Sequence, residues 1–509
     1  METEVKDVSA VDRLHPLWAI TIVFLSNFCI LVIELIAGRM MAPLVGVSLY
    51  TWTSIIGVIL AGISLGNYLG GKLADRYASR RALAFFFILS ALGSASILWT
   101  IELVTPLSSL EIPIVANVLL VFTVVFLLPA TILGTISPIV VKLTLADLRR
   151  TGDVVGKISA AGAAGSIAGT FATGFFLISA FGTRLIVWVV AAGLLLIGVF
   201  IALSTPGRQR YAAALVLVVF AGASIFVWQN GWLTSNCLRE TDYFCIKVRT
   251  DPEDEDVRVL TLDRLVHSYV YLNEPTRLRY GYEQVYADIL AALFPNQPVS
   301  AFFIGGGGYT FPRYIEIVHP GSRIDVVEID PGVTQVVYSA LGLPPDTTIA
   351  SYNEDARRFI SRLPAAGQYD LIVGDAFNDF SVPYHLTTLE FNQLVASHLS
   401  ERGIYMVNII DGQQGDFSRA YIHTLGQVFS HVYAAPVGGD LGALKRQTIV
   451  VLASQQPLDE AVSRPPLSSH FIPPAELAAY LEAGSPMTLT DNYVPVDNLL
   501  APVFADSGL

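Results

Sequence analysis

The sequence predicts three parts in series: a multispan α-helical membrane domain, a small β-domain and an α/β, doubly wound sheet. Three observations carry this expectation. The 509-residue chain is 53% hydrophobic and only 15% charged, and nearly all of the apolar excess lies between Leu17 and Trp228. From about residue 240 the composition turns to that of an ordinary globular protein. Beyond residue 281, short apolar runs alternate with segments of helical spacing.

After an N-terminal tail, 1–15, the transmembrane domain is expected over 16–229. A helix needs about 20 apolar residues to cross a hydrocarbon layer of about 30 Å. Seven runs meet this: about 16–37, 51–73, 82–104, 112–145, 155–180, 184–203 and 211–229. The fourth is too long for one straight helix and carries Pro129 and Pro138, which predicts a kink, a tilt or a break. No small-residue cleavage pattern follows the first run and further spans do, so a cleaved leader is not expected. Gly62, Gly66 and Gly70, and again Gly165, Gly169 and Gly174, recur at a spacing that lets helix backbones approach closely. Glu34, near the end of the first span, is costly in lipid unless paired or wetted. Arg39, about one turn on, is the simple partner, and a transport or ligand role is the alternative.

Lysine and arginine gather in alternate loops, "GKLADRYASRR" at 71–81, "VKLTLADLRRTGDVVGK" at 141–157 and "PGRQR" at 206–210. Basic loops favour the cytoplasmic side, which places the N-terminus inside and, after seven spans, everything beyond residue 230 outside. Cys237 and Cys245, spaced C-x7-C, fit either a disulfide in an oxidising compartment or two independent thiols. The net charge of −12, with acidic stretches such as "TDPEDED" at 250–256, repels phosphate backbones and argues against nucleic acid as a partner.

"CIKVRTD", "VRVLTLD" and "LVHSYVYL" have the length and β-branched content of antiparallel strands and predict the small β-domain at 240–280. "GYEQVYADILAALF", 281–294, has helical apolar spacing. Then "VSAFFIG", "RIDVVEID", "TTIASYNED", "YDLIVGD" and "GIYMVNII" alternate with helix-length segments at 332–341, 355–362 and 387–400. Such alternation predicts a mostly parallel, Rossmann-like sheet at 281–470, followed by a C-terminal segment at 471–509.

Open parallel sheets bind ligands beyond the carboxyl ends of their strands. Gly305, Gly306, Gly307 and Gly308 follow the first strand, where the missing Cβ lets backbone approach a ligand. Glu328 ends the second strand, a place from which a carboxylate takes two ribose hydroxyls. Asp355 follows the third strand, where it can accept from an adenine amino group, and Asp375 ends the fourth. Four such features in order predict a nucleoside-containing ligand. The loop lacks the third glycine of a dinucleotide site and the lysine of a P-loop. A carboxylate-rich site suits a cation, so a sulfonium nucleoside is preferred over NAD or ATP. The three cysteines and eight histidines form no metal-ligand spacing, and no metal is expected.

Over about 240–455 these residues resemble the spermidine synthase (aminopropyltransferase) family, in particular its bacterial members with a fused multispan membrane domain. "LTLDRLVHSYVYL" and "YGYEQVYADIL" look like the family's strand and following helix. "IGGGG" with Arg313 looks like its glycine loop, "VEID" its ribose-binding acid, and "NEDAR", with Asp355 and Ala356, its adenine-binding segment. "YDLIVGDAFND" is similar to the strand bearing its catalytic aspartate. The resemblance implies a class I methyltransferase-like fold, transfer of an alkyl group from decarboxylated S-adenosylmethionine or S-adenosylmethionine itself, release of methylthioadenosine, and pairing into homodimers. It implies that Glu328 binds ribose, Asp355 binds adenine, and Asp375 orients and deprotonates the attacking amine.

The departures fall on the amine side. The family's G-G-G-D-G-G acid is replaced by Gly308, followed by Tyr309 and Thr310. Its second acid is Asn378 here, with Asp379 displaced by one, and the pocket glutamine is His267. A helix glutamate position reads Gln284, with Glu283 beside it, while Tyr282 resembles a pocket tyrosine. Tyr384 and His385 stand where the family has a loop over the pocket; they, Glu283, Asn378 and Asp379 are candidates for acceptor contact or gating. Nucleoside binding is therefore expected with an acceptor other than putrescine, because unpaired ammonium groups in a closed pocket are costly. Intramolecular cyclisation or lyase-type cleavage of the donor, and a transporter or nucleoside-sensing membrane protein, are the alternatives. A multi-pass cell-membrane location is expected, with charge favouring the outside for the soluble half and cytosolic supply of sulfonium nucleosides favouring the inside.

Overall fold

The computed structural model describes residues 13–109, 114–145, 151–205, 207–364, 367–376, 382–484 and 487–506. The chain divides into two compact units, Met1–Val45 with Leu49–Asp242, and Gly46–Ser48 with Tyr243–Leu509.

In the first unit, seven helices among the described residues are long and apolar enough to cross a membrane: Pro16–Val45, Leu49–Tyr77, Arg80–Leu107, Val115–Thr144, Thr151–Ala180, Thr183–Leu203 and Arg210–Gln229. Val218 and Trp228 on the last of these are 67% and 70% exposed, as suits a helix whose solvent is lipid. The fourth span breaks between Gly134 and Ile136, where Thr135 folds back so that its N–H and hydroxyl both donate to Ile132 O, at 3.1 and 2.7 Å. Pro138, at the third position of the second piece, has no N–H to carry the ladder across this break. The second and fourth spans meet glycine to backbone: a Cβ on Gly66 would run into Thr131 O, and one on Gly134 would lie 2.7 Å from Ile63 O. The first and fifth spans do the same, with Gly165 against Phe24 O and Gly169 against Phe28 O. Gly174 departs from the expectation, because a Cβ there would meet nothing within 4 Å; it lies in a π-helical turn, Thr173–Leu177, that rotates it off the seam. Glu34 is half-buried, and Arg39 donates to Thr241 O at 2.9 Å. Cys237 and Cys245 are disulfide-bonded, and Cys29 is a buried free thiol.

The second unit opens with β1 (Cys245–Thr250), β2 (Val257–Leu262) and β3 (Leu265–Tyr271), paired antiparallel in that order. Asp263, at φ 53°, turns the chain between β2 and β3. Helix α1 (Gly281–Leu293) then buries Val285, Tyr286, Ile289 and Leu290, and Glu283 shares that face. The main sheet consists of β4 (Ser300–Ile304), β5 (Arg323–Val327), β6 (Ala350–Tyr352), β7 (Tyr369–Gly374), β8 (Leu399–Asp411), β9 (His431–Pro436) and β10 (Gln447–Ser454), in the spatial order β9-β10-β8-β7-β4-β5-β6. β4 through β8 are mutually parallel, while β10 runs antiparallel to both β8 and β9. All five expected parallel strands are present. The antiparallel β9–β10 pair was not expected from the sequence. Ala301, Phe302 and Phe303 on β4 are at most 3% exposed, as required of a central strand covered on both faces. The order reverses at β4, between β5 and β7, so the loops leaving β4 and β7 diverge and open a crevice.

Candidate functional site

Gly305 leaves β4 at φ +94°, donates to Val327 O at 2.9 Å, and has no room for a Cβ, which would strike the carbonyl of Asp375. Only glycine meets both demands. Gly306 N donates to Glu328 Oε2 at 2.9 Å, and Gly308 N to Ser268 Oγ at 2.8 Å. Tyr309 takes a left-handed conformation at φ 58°, starts α2 (Thr310–Val318), and is fully buried. Its ring lies against Gly306 and its hydroxyl donates to Ser351 Oγ at 3.1 Å, so the aromatic after the glycines is a plug behind the loop.

A cavity of about 270 Å³ lies on the other side of the loop, lined by Gly305, Gly306, Gly307, His267, Tyr282, Glu283 and Asp375 among others. The sequence pointed to all seven. Asp375 accepts from Asn408 Nδ2 at 2.9 Å and from the Tyr282 hydroxyl; burial outweighs these bonds and raises its carboxyl to about 6. Glu283 is 2% exposed, and burial, with a smaller contribution from Asp375's charge, raises it to about 7 even though Thr310 donates to its Oε1. His267 is pushed down to about 4 by burial and by the charge of Arg446, so it is a neutral imidazole at pH 7. Arg446, Tyr280, Tyr286, Asn408 and Thr310 also line the cavity. Sequence reasoning missed these. Asn408 could have been noticed as the one amide inside the apolar run "MVNII", whereas nothing in "LGALKRQT" marks Arg446.

Among the described residues, Glu283 Oε2, Tyr286 OH and Asn408 Oδ1 are buried with no hydrogen-bond partner, and all three residues line this cavity. Each orphan costs about 1–3 kcal/mol, which a polar ligand would recover.

The remaining candidates lie elsewhere. Glu328 is 6% exposed and ties the loop together, accepting from Gly306 N and Asp330 N; its pKa is raised by burial against these bonds. Asp355 caps α3 (Ala356–Arg362) through Arg358 N at 2.8 Å and pairs with His385 Nε2 at 2.7 Å. The residues lining the cavity include neither Asp355 nor Ala356, His385 or Tyr384, and Tyr384 is 60% exposed. Asn378 and Asp379 fall outside the described residues. No group of three or more metal-ligating side chains occurs among the described residues.

The sheet order defines the class by fold: a Rossmann-like, methyltransferase-type doubly wound sheet with a glycine loop leaving its first parallel strand. No family model matches the chain. A polyamine aminopropyltransferase of Vibrio vulnificus is 29% identical over 195 residues, 38% of this chain and 62% of that protein. A probable polyamine aminopropyl transferase of Bifidobacterium longum is 30% identical over 134 residues, 26% of this chain and 29% of that one. Among solved structures, a probable spermidine synthase from Corynebacterium glutamicum matches 50% of this chain and 95% of its own, at 20% identity and a TM-score of 0.45. The chain is thus similar over part of its length to these polyamine aminopropyltransferases, and it spans less than two thirds of the length of these two curated relatives.

Proposed function

We propose that the protein is a membrane-integral enzyme of the alkyl-transferring (EC 2.5.1) type, which binds S-adenosylmethionine or its decarboxylated form and releases methylthioadenosine. The observation that carries this is the meeting of the glycine loop, Asp375 and three unsatisfied buried polar atoms on one cavity. The sequence relationship to aminopropyltransferases supports it.

In this reading the adenosyl group lies along Gly305–Gly307, its ribose toward Glu328, which accepts from Gly306 N, and its adenine reaching beyond the cavity toward the Asp355–Ala356 turn. A nucleophile attacks the carbon attached to the sulfonium: one carbon–nucleophile bond forms, the carbon–sulfur bond breaks, and sulfur leaves with the electron pair as a neutral thioether. Asp375, held by Tyr282 and Asn408, takes the proton that an attacking ammonium must lose. In-line placement supplies much of the remaining acceleration. Neutral His267 offers a hydrogen bond without adding positive charge beside the sulfonium.

The acceptor is not a simple diamine. An aspartate at position 308 is absent and would not fit, since its Cβ would lie 2.6 Å from Ser268 Cβ. The same observation favours a second version of the reaction, in which the donor's own amine or carboxylate is the nucleophile. The test is release of methylthioadenosine by the full chain in detergent, given each donor alone and with added amines. Asp375→Asn should lower release by roughly 10²–10⁴-fold while nucleoside binding persists. Turnover by Asp375→Asn equal to that of the unmodified protein would sink the assignment, and absence of release from the donor alone would sink the intramolecular version.

A further inference from the structure

Arg446 immediately precedes β10 on the antiparallel pair that the sequence did not reveal, and is half-buried. It lines the same cavity as Glu283 and Asp375. Tyr280, which also lines this cavity, feels the charge of all three. A guanidinium is out of keeping with the ligands of an ordinary aminopropyl transfer. Diamines, and a donor that has lost its carboxylate, bring only positive charge, and a like charge in a closed cavity is repelled. The acid that would take the ammonium of such a donor is excluded at Gly308 by Ser268. A wall with Arg446 at one place, and the buried, unpartnered Oε2 of Glu283 with Asp375 at another, presents both signs. That combination matches an α-amino-acid end, whose carboxylate a guanidinium takes in a fork of two hydrogen bonds.

We propose that Arg446 is a specificity-determining residue that receives a substrate carboxylate in this cavity, so that the site takes an amino-acid end rather than a bare alkyl ammonium. The proposal rests on the reading that the cavity binds an adenosyl sulfonium. The carboxylate has two sources. It belongs either to the donor, which is then S-adenosylmethionine with its methionine end intact, or to an amino-acid acceptor.

The experiment is titration calorimetry on the full chain in detergent with S-adenosylmethionine, its decarboxylated form and methylthioadenosine, for the unmodified protein, Arg446→Gln and Arg446→Lys. If the donor supplies the carboxylate, the unmodified protein prefers S-adenosylmethionine over the decarboxylated form at least tenfold. Arg446→Gln then brings that ratio close to one, Arg446→Lys restores part of it, and methylthioadenosine, which has no amino-acid end, binds all three alike. If an acceptor supplies it, the two donors bind equally, and Arg446→Gln raises the KM for amino-acid acceptors at least tenfold with kcat held. Equal binding of both donors, together with acceptor kinetics indifferent to Arg446→Gln, overturns the proposal and leaves the nucleoside reading standing. Failure of methylthioadenosine and both donors to bind the unmodified protein overturns the two together.

Discussion

Asp375 and Glu283 are two acids whose carboxyls burial raises to about 6 and about 7, both above their ordinary values. Their neutral forms are the ones the folded protein favours, so the cost of charging them is absent below about pH 4, grows from there up to the raised values of about 6 and about 7, and levels off above them. Replacing Glu283 by Gln should therefore stabilise the protein by roughly 3 kcal/mol at pH 8 and leave it nearly unchanged at pH 4.5. Thermal unfolding of the detergent-solubilised chain at the two pH values checks this, and equal shifts at both would refute it. The same carboxyls fix the direction of the activity profile: if ionised Asp375 is the base, methylthioadenosine release climbs between about pH 5 and pH 7. At the glycine loop, Gly308→Asp should lower stability and fail to confer putrescine use, because Ser268 Cβ occupies the space. Recovery of diamine turnover by that single change would show that the loop yields more readily than its packing implies.

At the scale of elements, the parallel strands were legible because a strand covered on both faces must be a short apolar run, and "AFFI" and "DLIVG" are such runs. The candidate residues at their carboxyl ends were legible for the same topological reason. Arg446 was not, since its place in the cavity depends on how the β9–β10 pair folds against β8, a long-range register with no local pattern. Tyr309 was visible but its role was not: a buried plug and a ligand contact read alike in one dimension. Glycine spacing in the membrane unit foretold two close seams and erred only at Gly174, where a π-helical turn breaks the 3.6-residue phase. The seams give a contrast within one helix: Gly165→Ala should cost stability because its Cβ meets Phe24 O, whereas Gly174→Ala should be neutral or mildly stabilising. Melting temperatures of the two variants in one detergent decide it, and equal losses would mean that the fifth span packs elsewhere.

For the whole molecule, the distribution of basic residues gives a testable expectation for membrane sidedness. The first of the seven spans begins at Pro16, and basic residues gather around the connections after the second, fourth and sixth, at the adjoining span ends or between them: Lys72, Arg76, Arg80 and Arg81, then Lys142 and Lys157, then Arg208 and Arg210. Whereas cytosolic supply of sulfonium nucleosides favours the inside for the soluble half, by the positive-inside rule these residues favour an N-terminus inside and, after an odd number of crossings, Tyr243–Leu509 outside. A disulfide involving Cys237 and Cys245 agrees, because such bonds persist in oxidising compartments and are rare in the cytosol. In intact cells a membrane-impermeant maleimide should label these two cysteines only after an impermeant reductant has been added from outside. Labelling that needs permeabilisation but no reductant would put the soluble half inside and overturn the orientation. The outcome bears directly on chemistry. A soluble half on the outside can use an adenosyl sulfonium only if one is delivered across the bilayer, and the half-buried Glu34 then becomes the first residue to substitute in the membrane unit. In that case Glu34→Gln should reduce methylthioadenosine release in intact cells while leaving the detergent-solubilised protein unaffected, and equal loss in both settings would assign Glu34 to folding.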